Sequence, residues 1–302
     1  MTLNASGELR SSQSCSTCPV CNAQTSLVFH VRDFPIYSCA ACGHRHTRVE
    51  SAADHISQVY SDDYFSGGGA GYANYLAEER LLRAHGRRYG ELLKRYHTGG
   101  GSLLDIGAAA GFILQGMADV GWTGTGIEPN ARMATAARDK FGLNVLHGSL
   151  EEVPLHDTFD VVSMIQVIAH FVDPTVAFAR AASVTRDQGL CLVETWNVQS
   201  ITAKLFGKSW HEYSPPSVLH WFTPASLEQL AAAHGFEQIA RGRPTKWLDG
   251  AHAKSLLAHA AGNSVVGKLV ATASSLVPDR LPIPYPSEDV FWALFRRRKR
   301  EA

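Results

Sequence analysis

Two things are scarce in this 302-residue chain: a surplus of either charge and a long apolar run. Lys and Arg together number 28, as do Asp and Glu, so no overall field gathers nucleic acid or anionic lipid. No stretch of about 20 apolar residues occurs, which argues against a membrane span. The nearest, "SVVGKLVATASSLV" (Ser264 to Val277), is broken by Gly267 and Lys268. The opening "MTLNASGELRSSQS" is polar and lacks the apolar core of a secretory leader, so the expectation is a soluble, cytoplasmic protein. Internal repeats and low-complexity tracts are absent as well.

Cysteine is rare outside one place. Of six cysteines, five fall between Cys15 and Cys42. In a reducing compartment they stay as thiols, and their clustering points to a metal. "CPVC" (Cys18, Cys21) and "CAAC" (Cys39, Cys42) are two C-x2-C pairs separated by 17 residues, with Gly43 after the second. Between them "SLVFHVRDFPIYS" alternates as short strands do. Two such knuckles on a hairpin present four thiolates to a tetrahedral zinc ion, and four protein ligands leave no open position, so the zinc is structural. Cys15 reads as a spare, and His44 and His46 stand as substitute ligands.

Residues 1–47 therefore form a zinc-ribbon-like module. Residues 48–98 read as a helical linker or lid. There "GGGAG" (Gly67 to Gly71) precedes a helical pattern of Tyr75, Leu76, Leu82, Tyr89, Leu92, Leu93 and Tyr96. Tyr60, Tyr64, Phe65, Tyr72 and Tyr75 are candidates to cover a ligand. From residue 99 strands and helices alternate, the texture of a parallel α/β sheet covered on both faces.

At the carboxyl ends of such strands ligands bind. That edge carries "LLDIGAAAGF" with Asp105, Gly107, Ala109 and Gly111, then Glu128, Ser149, Leu150 and Gln166. Glu128 follows Asp105 by 23 residues, close to the interval of about 20 at which an acid grips ribose hydroxyls. A dinucleotide would need glycine at 109 and 112, where Ala109 and Phe112 stand, and Asp105 would repel its pyrophosphate. S-adenosylmethionine suits the loop better. It has a ribose for Glu128, no phosphate, and an ammonium that Asp105 can approach.

These residues resemble the class I S-adenosylmethionine-dependent methyltransferases, whose first motif is D-x-G-x-[G/A]-x-G. "GWTGTGIEPN", "GSLEEVPLHDTFDVVSMIQVIAHFVDP" and "HWFTPASLEQLAAAHGFE" extend the resemblance over most of residues 99–302. With "CPVC…CAACGH…YSDDYF" the chain looks like a bacterial subgroup of sugar and natural-product methyltransferases with an N-terminal zinc ribbon. The resemblance implies a Rossmann-like seven-stranded sheet whose last strand, "DVFWALFRRR" here, runs antiparallel beside the fifth. It also implies an acid that accepts the adenine amino group where Ser149 stands, so the backbone of Leu150 is the substitute contact.

An oxygen acceptor needs a group to take its proton. His170, just after the fourth strand, matches a histidine common in the family, with Ala169 in place of its usual Glu. His220 is the second candidate. It lies in an aromatic insertion near 196–223, read as an acceptor pocket with Trp196, Trp210, His211, Tyr213 and Trp221. A second insertion, near 246–284, reads as helices of a lid or dimer contact, and "RRRKR" (Arg296 to Arg300) as a solvated tail. The function expected is methyl transfer to a small molecule, a hydroxyl of a sugar or secondary metabolite. The competing readings are a sugar C-methyltransferase, an RNA methyltransferase and a non-catalytic S-adenosylmethionine-binding protein. A pI near 7.2 lacks the basic footprint that RNA requires. Oligomeric state is not legible.

Overall fold

The alternating segment between the two cysteine pairs forms a hairpin. The computed structural model describes residues 16–49, 59–66, 75–250, 278, 281–285 and 287–299. Its first strands are β1 (Ser16–Thr17), β2 (Gln24–Val31), β3 (Phe34–Cys39) and β4 (Arg45–His46), each antiparallel to the next. Each knuckle turns back through a left-handed residue after its second cysteine, Asn22 (φ 59°) and Gly43 (φ 76°). Asn and Gly are the residues that adopt this conformation at least cost.

A short helix α1 (Asp62–Ser66) and a 3-10 turn (Tyr75–Glu78) lead into α2 (Glu79–Lys94). The alternating region follows as β5 (Ser102–Ile106), α3 (Phe112–Ala118), β6 (Thr123–Glu128), α4 (Ala131–Phe141), β7 (Asn144–His147) and β8 (Phe159–Ile165). Next come α5 (Pro174–Val184), β9 (Thr185–Trp196), α6 (Ile201–Phe206), β10 (His220–Trp221), α7 (Pro224–Ala233) and β11 (Phe236–Gly242). The last strands are β12 (Lys246–Asp249), β13 (Pro282–Tyr285) and β14 (Val290–Arg297). Helix starts follow local chemistry. Asn130 caps α4 by accepting from the Met133 amide at 2.9 Å, and Thr223 and Ser226 form a reciprocal capping box on α7.

Seven strands make one sheet in the order β11-β14-β9-β8-β5-β6-β7. Neighbours from β9 through β7 are parallel, and β14 is antiparallel to both β9 and β11. The fold is thus the Rossmann-like seven-stranded α/β architecture, with "DVFWALFRRR" inserted beside the fifth strand of the sheet as expected. Both faces are covered. Along β8, Val162 and Met164 join the core under α5 and α7, whereas Val161 and Ile165 join the core under α2, α3 and α4. Burial of each such side chain contributes about 1.5–3 kcal/mol.

Helices α2 and α3 approach until their backbones touch. A Cβ on Gly86 would lie 2.1 Å from the Ile113 carbonyl oxygen, and one on Gly116 would lie 2.1 Å from that of Arg83. Only glycine permits this contact, which presses one face of α2 toward β9.

Three readings change. The ends of the second insertion are strands, β12 paired antiparallel with β13, where helices were expected; residues 251–277 lie outside the described residues, as do Cys15, Tyr72 and Gly67 to Gly71. The basic run is not wholly a tail. Arg296 and Arg297 belong to β14, and Arg297 donates to the His234 carbonyl at 2.6 Å while covering the ring of Phe236. Finally, the sheet of the cysteine module is completed from outside it, because β10 pairs with β4. Among the described residues no helix is long and apolar enough to cross a membrane.

Candidate active site

Above the carboxyl ends of β5, β6, β8 and β9 lies a cavity of about 470 Å³. Asp105, at the end of β5, is 3% exposed and accepts from Ser163 Oγ at 2.7 Å. Burial pushes its carboxyl up to about 7, against the lowering effect of that hydrogen bond. Glu128, at the end of β6, is also buried and is pushed up to about 7 by burial. Its Oε2 accepts from the Ala109 amide and its Oε1 from the Asn130 amide, both at 2.8 Å.

The loop between β5 and α3 is bent by three left-handed residues, Gly107 (φ 75°), Ala109 (φ 47°) and Gly111 (φ 75°). Gly107 and Ala108 donate to the Ile127 carbonyl at 2.9 and 3.0 Å, tying the loop to β6. A side chain on Gly107 would meet Val167 Cγ2 at 2.7 Å. Ala109 lines the cavity, and its conformation turns its N–H back onto Glu128. Gly111 serves differently. It caps α3, packs against Leu143 and Ala137, and is not on the cavity wall.

Ser149 and Leu150, after β7, also line the cavity, and both are buried. Gln166 follows β8 in the left-handed region (φ 59°). Its amide donates to the Glu194 carbonyl at 2.9 Å and its side chain to Glu194 Oε1 at 2.7 Å. His170 also lies on the cavity wall. Its Nδ1–H donates to the Ser217 carbonyl at 2.7 Å, which assigns the ring lone pair to Nε2. Tyr60 and Trp196 meet the imidazole edge to face. Tyr60, Tyr64, Phe65 and Tyr75 also form part of the wall.

The structure does not bring His220 to the cavity. The pairing of β10 with β4 carries it to the junction with the cysteine module. There its Nδ1 lies 3.2 Å from His44 Nε2, and burial pulls its pKa down to about 3. His220 thus lies between the cysteine module and the α/β domain, not on the cavity wall where an acceptor's base was expected. Of the other aromatic residues assigned to an acceptor pocket, His211 lines the cavity, whereas Trp196, Trp210, Tyr213 and Trp221 pack in a separate core cluster.

Sequence reading missed the polar group on the cavity floor. Glu194 of β9 is 0% exposed and accepts from His85 Nε2 at 2.9 Å, from Tyr89 Oη and from Gln166. The signal was there to be read: a lone carboxylate in the apolar strand "GLCLVETW", with His85 and Tyr89 four residues apart on one helix face.

Away from the cavity, the Sγ atoms of Cys18, Cys21, Cys39 and Cys42 all lie within 4.8 Å of one another. Cys18 and Cys42 are 3.6 Å apart, and Cys21 and Cys39 are 3.4 Å apart. A tetrahedral zinc with Zn–S of about 2.3 Å puts its sulfurs about 3.8 Å apart, so the four thiols fit that ion. The module docks through backbone contacts. Thr47 N–H donates to the Leu219 carbonyl at 2.9 Å, and Thr223 Oγ1 to the Cys42 carbonyl at 3.2 Å.

A family model described as a methyltransferase domain matches residues 75–240, more than half of the chain. The chain belongs to this methyltransferase-domain family. Among curated proteins it is similar to the ubiquinone biosynthesis O-methyltransferase of Azorhizobium caulinodans, 30% identical over 147 residues, covering 45% of this chain and 58% of that protein. The enzyme of the same name from Rhodopseudomonas palustris is 30% identical over 148 residues, with the same coverage. The chain thus spans about 58% of the length of these relatives. Among solved structures, the Burkholderia thailandensis 1,6-didemethyltoxoflavin-N1-methyltransferase, with 1,6-didemethyltoxoflavin and S-adenosylhomocysteine bound, superposes with a TM-score of 0.53. It is 13% identical, and the match covers 90% of this chain and 99% of that one, a likeness of fold.

Proposed function

We propose that this methyltransferase-family chain moves a methyl group from S-adenosylmethionine to a small-molecule acceptor, at a hydroxyl of a sugar or secondary metabolite. The observation that carries the reading is a single cavity whose wall combines two buried carboxylates with aromatic rings and an imidazole. Asp105 and Glu128 are buried carboxylates on this wall that have no cation within ion-pair distance among the described residues. A ligand bearing a ribose, an ammonium and a sulfonium supplies the hydroxyl donors and positive charge that two such anions need. The same wall carries the rings of Tyr60, Tyr64, Phe65 and Tyr75 and the imidazole of His170. The O-methyltransferase names of the sequence relatives support an oxygen acceptor.

In this reading Glu128 holds the ribose, Asp105 faces the amino-acid end, Gly107 and Ala109 give close backbone approach, and Ser149 and Leu150 border the adenine. Gln166 stands between donor and acceptor, and His170 contacts the acceptor. When bound, S-adenosylmethionine supplies an already activated methyl group, so the protein's task is alignment and exclusion of water. Alignment alone is worth about 7–11 kcal/mol of barrier. Residues 1–47 are proposed as a structural zinc ribbon, 48–98 as the cover over the cavity, and 99–302 as the catalytic domain. The zinc is held by Cys18, Cys21, Cys39 and Cys42 and keeps β4 in register for β10.

The deciding experiment combines calorimetric titration of S-adenosylmethionine with transfer of methyl label to a lysate of the source organism, fractionated into small molecules, RNA and protein. Label is expected in the small-molecule fraction and lost with Glu128→Ala. Label in RNA overturns the reading in favour of a nucleic-acid substrate. Binding without transfer to any fraction overturns it in favour of a non-catalytic binding protein.

A further inference from the structure

The protons of the polar group under the cavity can be assigned from its contacts. Arg88 is a permanent donor, and its Nη2 lies 3.3 Å from His85 Nδ1. Nδ1 is therefore the acceptor, and the ring proton sits on Nε2, 2.9 Å from Glu194 Oε2. Two independent contacts give the same tautomer. Glu194 is held in turn by Tyr89 and Gln166, so the carboxylate cannot swing away. His85, Arg88 and Glu194 all line the cavity.

We propose that His85, oriented by Glu194, is the group that takes the acceptor's proton. This rests on the methyl-transfer reading above and adds the proton acceptor to it. The arrangement is the logic of a buried acid behind an imidazole: one nitrogen is committed to the carboxylate, and the other offers its lone pair to the reacting group. The acceptor hydroxyl takes the place of Arg88 at Nδ1. Its oxygen forms the new bond to the methyl carbon, the carbon–sulfur bond breaks with its electron pair passing to sulfur, and the hydroxyl proton passes to Nδ1. The resulting imidazolium is stabilised by Glu194. His85 is the catalytic residue, while Glu194, Tyr89 and Gln166 are positioning residues. Groups facing this imidazole are Glu194 from β9 and Arg88 and Tyr89 from its own helix; the rest of the wall carries Glu78, Asp105, Glu128, Glu151, His170, His211 and Glu212, with the hydroxyls of Tyr60, Tyr64 and Tyr75.

The test uses full-length, zinc-replete protein and the low-molecular-weight fraction of the source lysate as acceptor. His85→Asn is expected to lower transfer at least about 10²-fold, the lower bound for a general base, and to remove the acid limb of the pH–rate profile. Its affinity for S-adenosylmethionine stays within about twofold, which reports an intact fold. Glu194→Gln is expected to do the same, because an amide that donates to Nε2 forces the proton onto Nδ1. Imidazole 15N shifts provide a readout independent of turnover: Nε2–H in the wild type and Nδ1–H in Glu194→Gln. His156→Asn, at an exposed loop position off the cavity wall, is the control and keeps the acid limb. An acid limb that survives in His85→Asn, or a wild-type His85 protonated at Nδ1, overturns the proposal. Wild-type protein that binds S-adenosylmethionine but labels no small molecule overturns the underlying reading, and the dyad's role with it, whatever tautomer the spectra show.

Discussion

Glu128 holds the amide of Ala109 at 2.8 Å and so fixes the left-handed turn that an alanine would otherwise resist. The acid assigned to ribose therefore has a second task, keeping the loop open to a ligand. Glu128→Ala removes both and is expected to weaken S-adenosylmethionine binding by about 3 kcal/mol or more, that is more than about 10²-fold, by calorimetry. Ala109→Gly relieves the turn and is expected to leave affinity within about twofold. Ala109→Val, β-branched at positive φ, is expected to behave like Glu128→Ala.

The raised carboxyls give the loop a pH dependence of definite sign. Asp105 and Glu128 titrate near 7 in the folded chain, well above the ordinary carboxylate range near 4. The unfolded chain ionises first, so their contribution to the stability of the ligand-free protein falls as pH rises from about 4 to 7. Binding of a cationic, hydroxyl-bearing ligand needs the ionised forms. The rise in melting temperature caused by S-adenosylmethionine is thus expected to be larger at pH 8 than at pH 6. Glu128→Gln is expected to flatten that difference, and an equal rise at both pH values in the wild type would contradict the assignment.

How much of this was legible in the sequence depended on distance along the chain. The β5–loop–β6 unit with Asp105, Gly107 and Glu128 could be read because each element is local and its period is regular. The two knuckles could be read because C-x2-C fixes its own turn. His220 could not. Its place follows from the pairing of β10 with β4, Trp221 opposite Arg45, across most of the chain. A histidine in an aromatic loop looks the same in sequence whether it faces a cavity or a junction. His85 was missed for a related reason: it counts as one polar residue on a helix until Glu194, 109 residues away, is folded beneath it.

The junction makes a prediction about the metal. If zinc holds the register of β4, its removal frees the strand that receives β10 and the Cys42 carbonyl that accepts from Thr223. Chelation of the purified protein, or Cys39→Ser, is expected to cost at least about 2 kcal/mol, lowering the melting temperature by about 4–8 °C. Metal analysis should return one zinc per chain. A protein that holds no zinc and melts unchanged with chelator would leave the module stabilised by its hairpin alone.

The approach of α2 to α3 sets how closely His85 and Tyr89 press on Glu194, and it rests on Gly86. A methyl group there would fall 2.1 Å from the Ile113 carbonyl oxygen, inside any tolerable contact, so the helices must part. Gly86→Ala is therefore expected to cost about 1–3 kcal/mol in denaturant unfolding, although alanine is the better helix former at an exposed site. Because His85 is the next residue, the separation also stretches its 2.9 Å contact with Glu194. Transfer should fall more than the affinity for S-adenosylmethionine, because Asp105 and Glu128, the carboxylates proposed to hold it, stand on β5 and β6 and not on α2. Gly90, one turn on, is a weaker case: its added Cβ would meet a side-chain methyl of Val120 at 2.4 Å, with the nearest backbone atom, Met117 Cα, at 3.3 Å. Gly90→Ala is expected to cost less and to leave the ratio of transfer to binding unchanged.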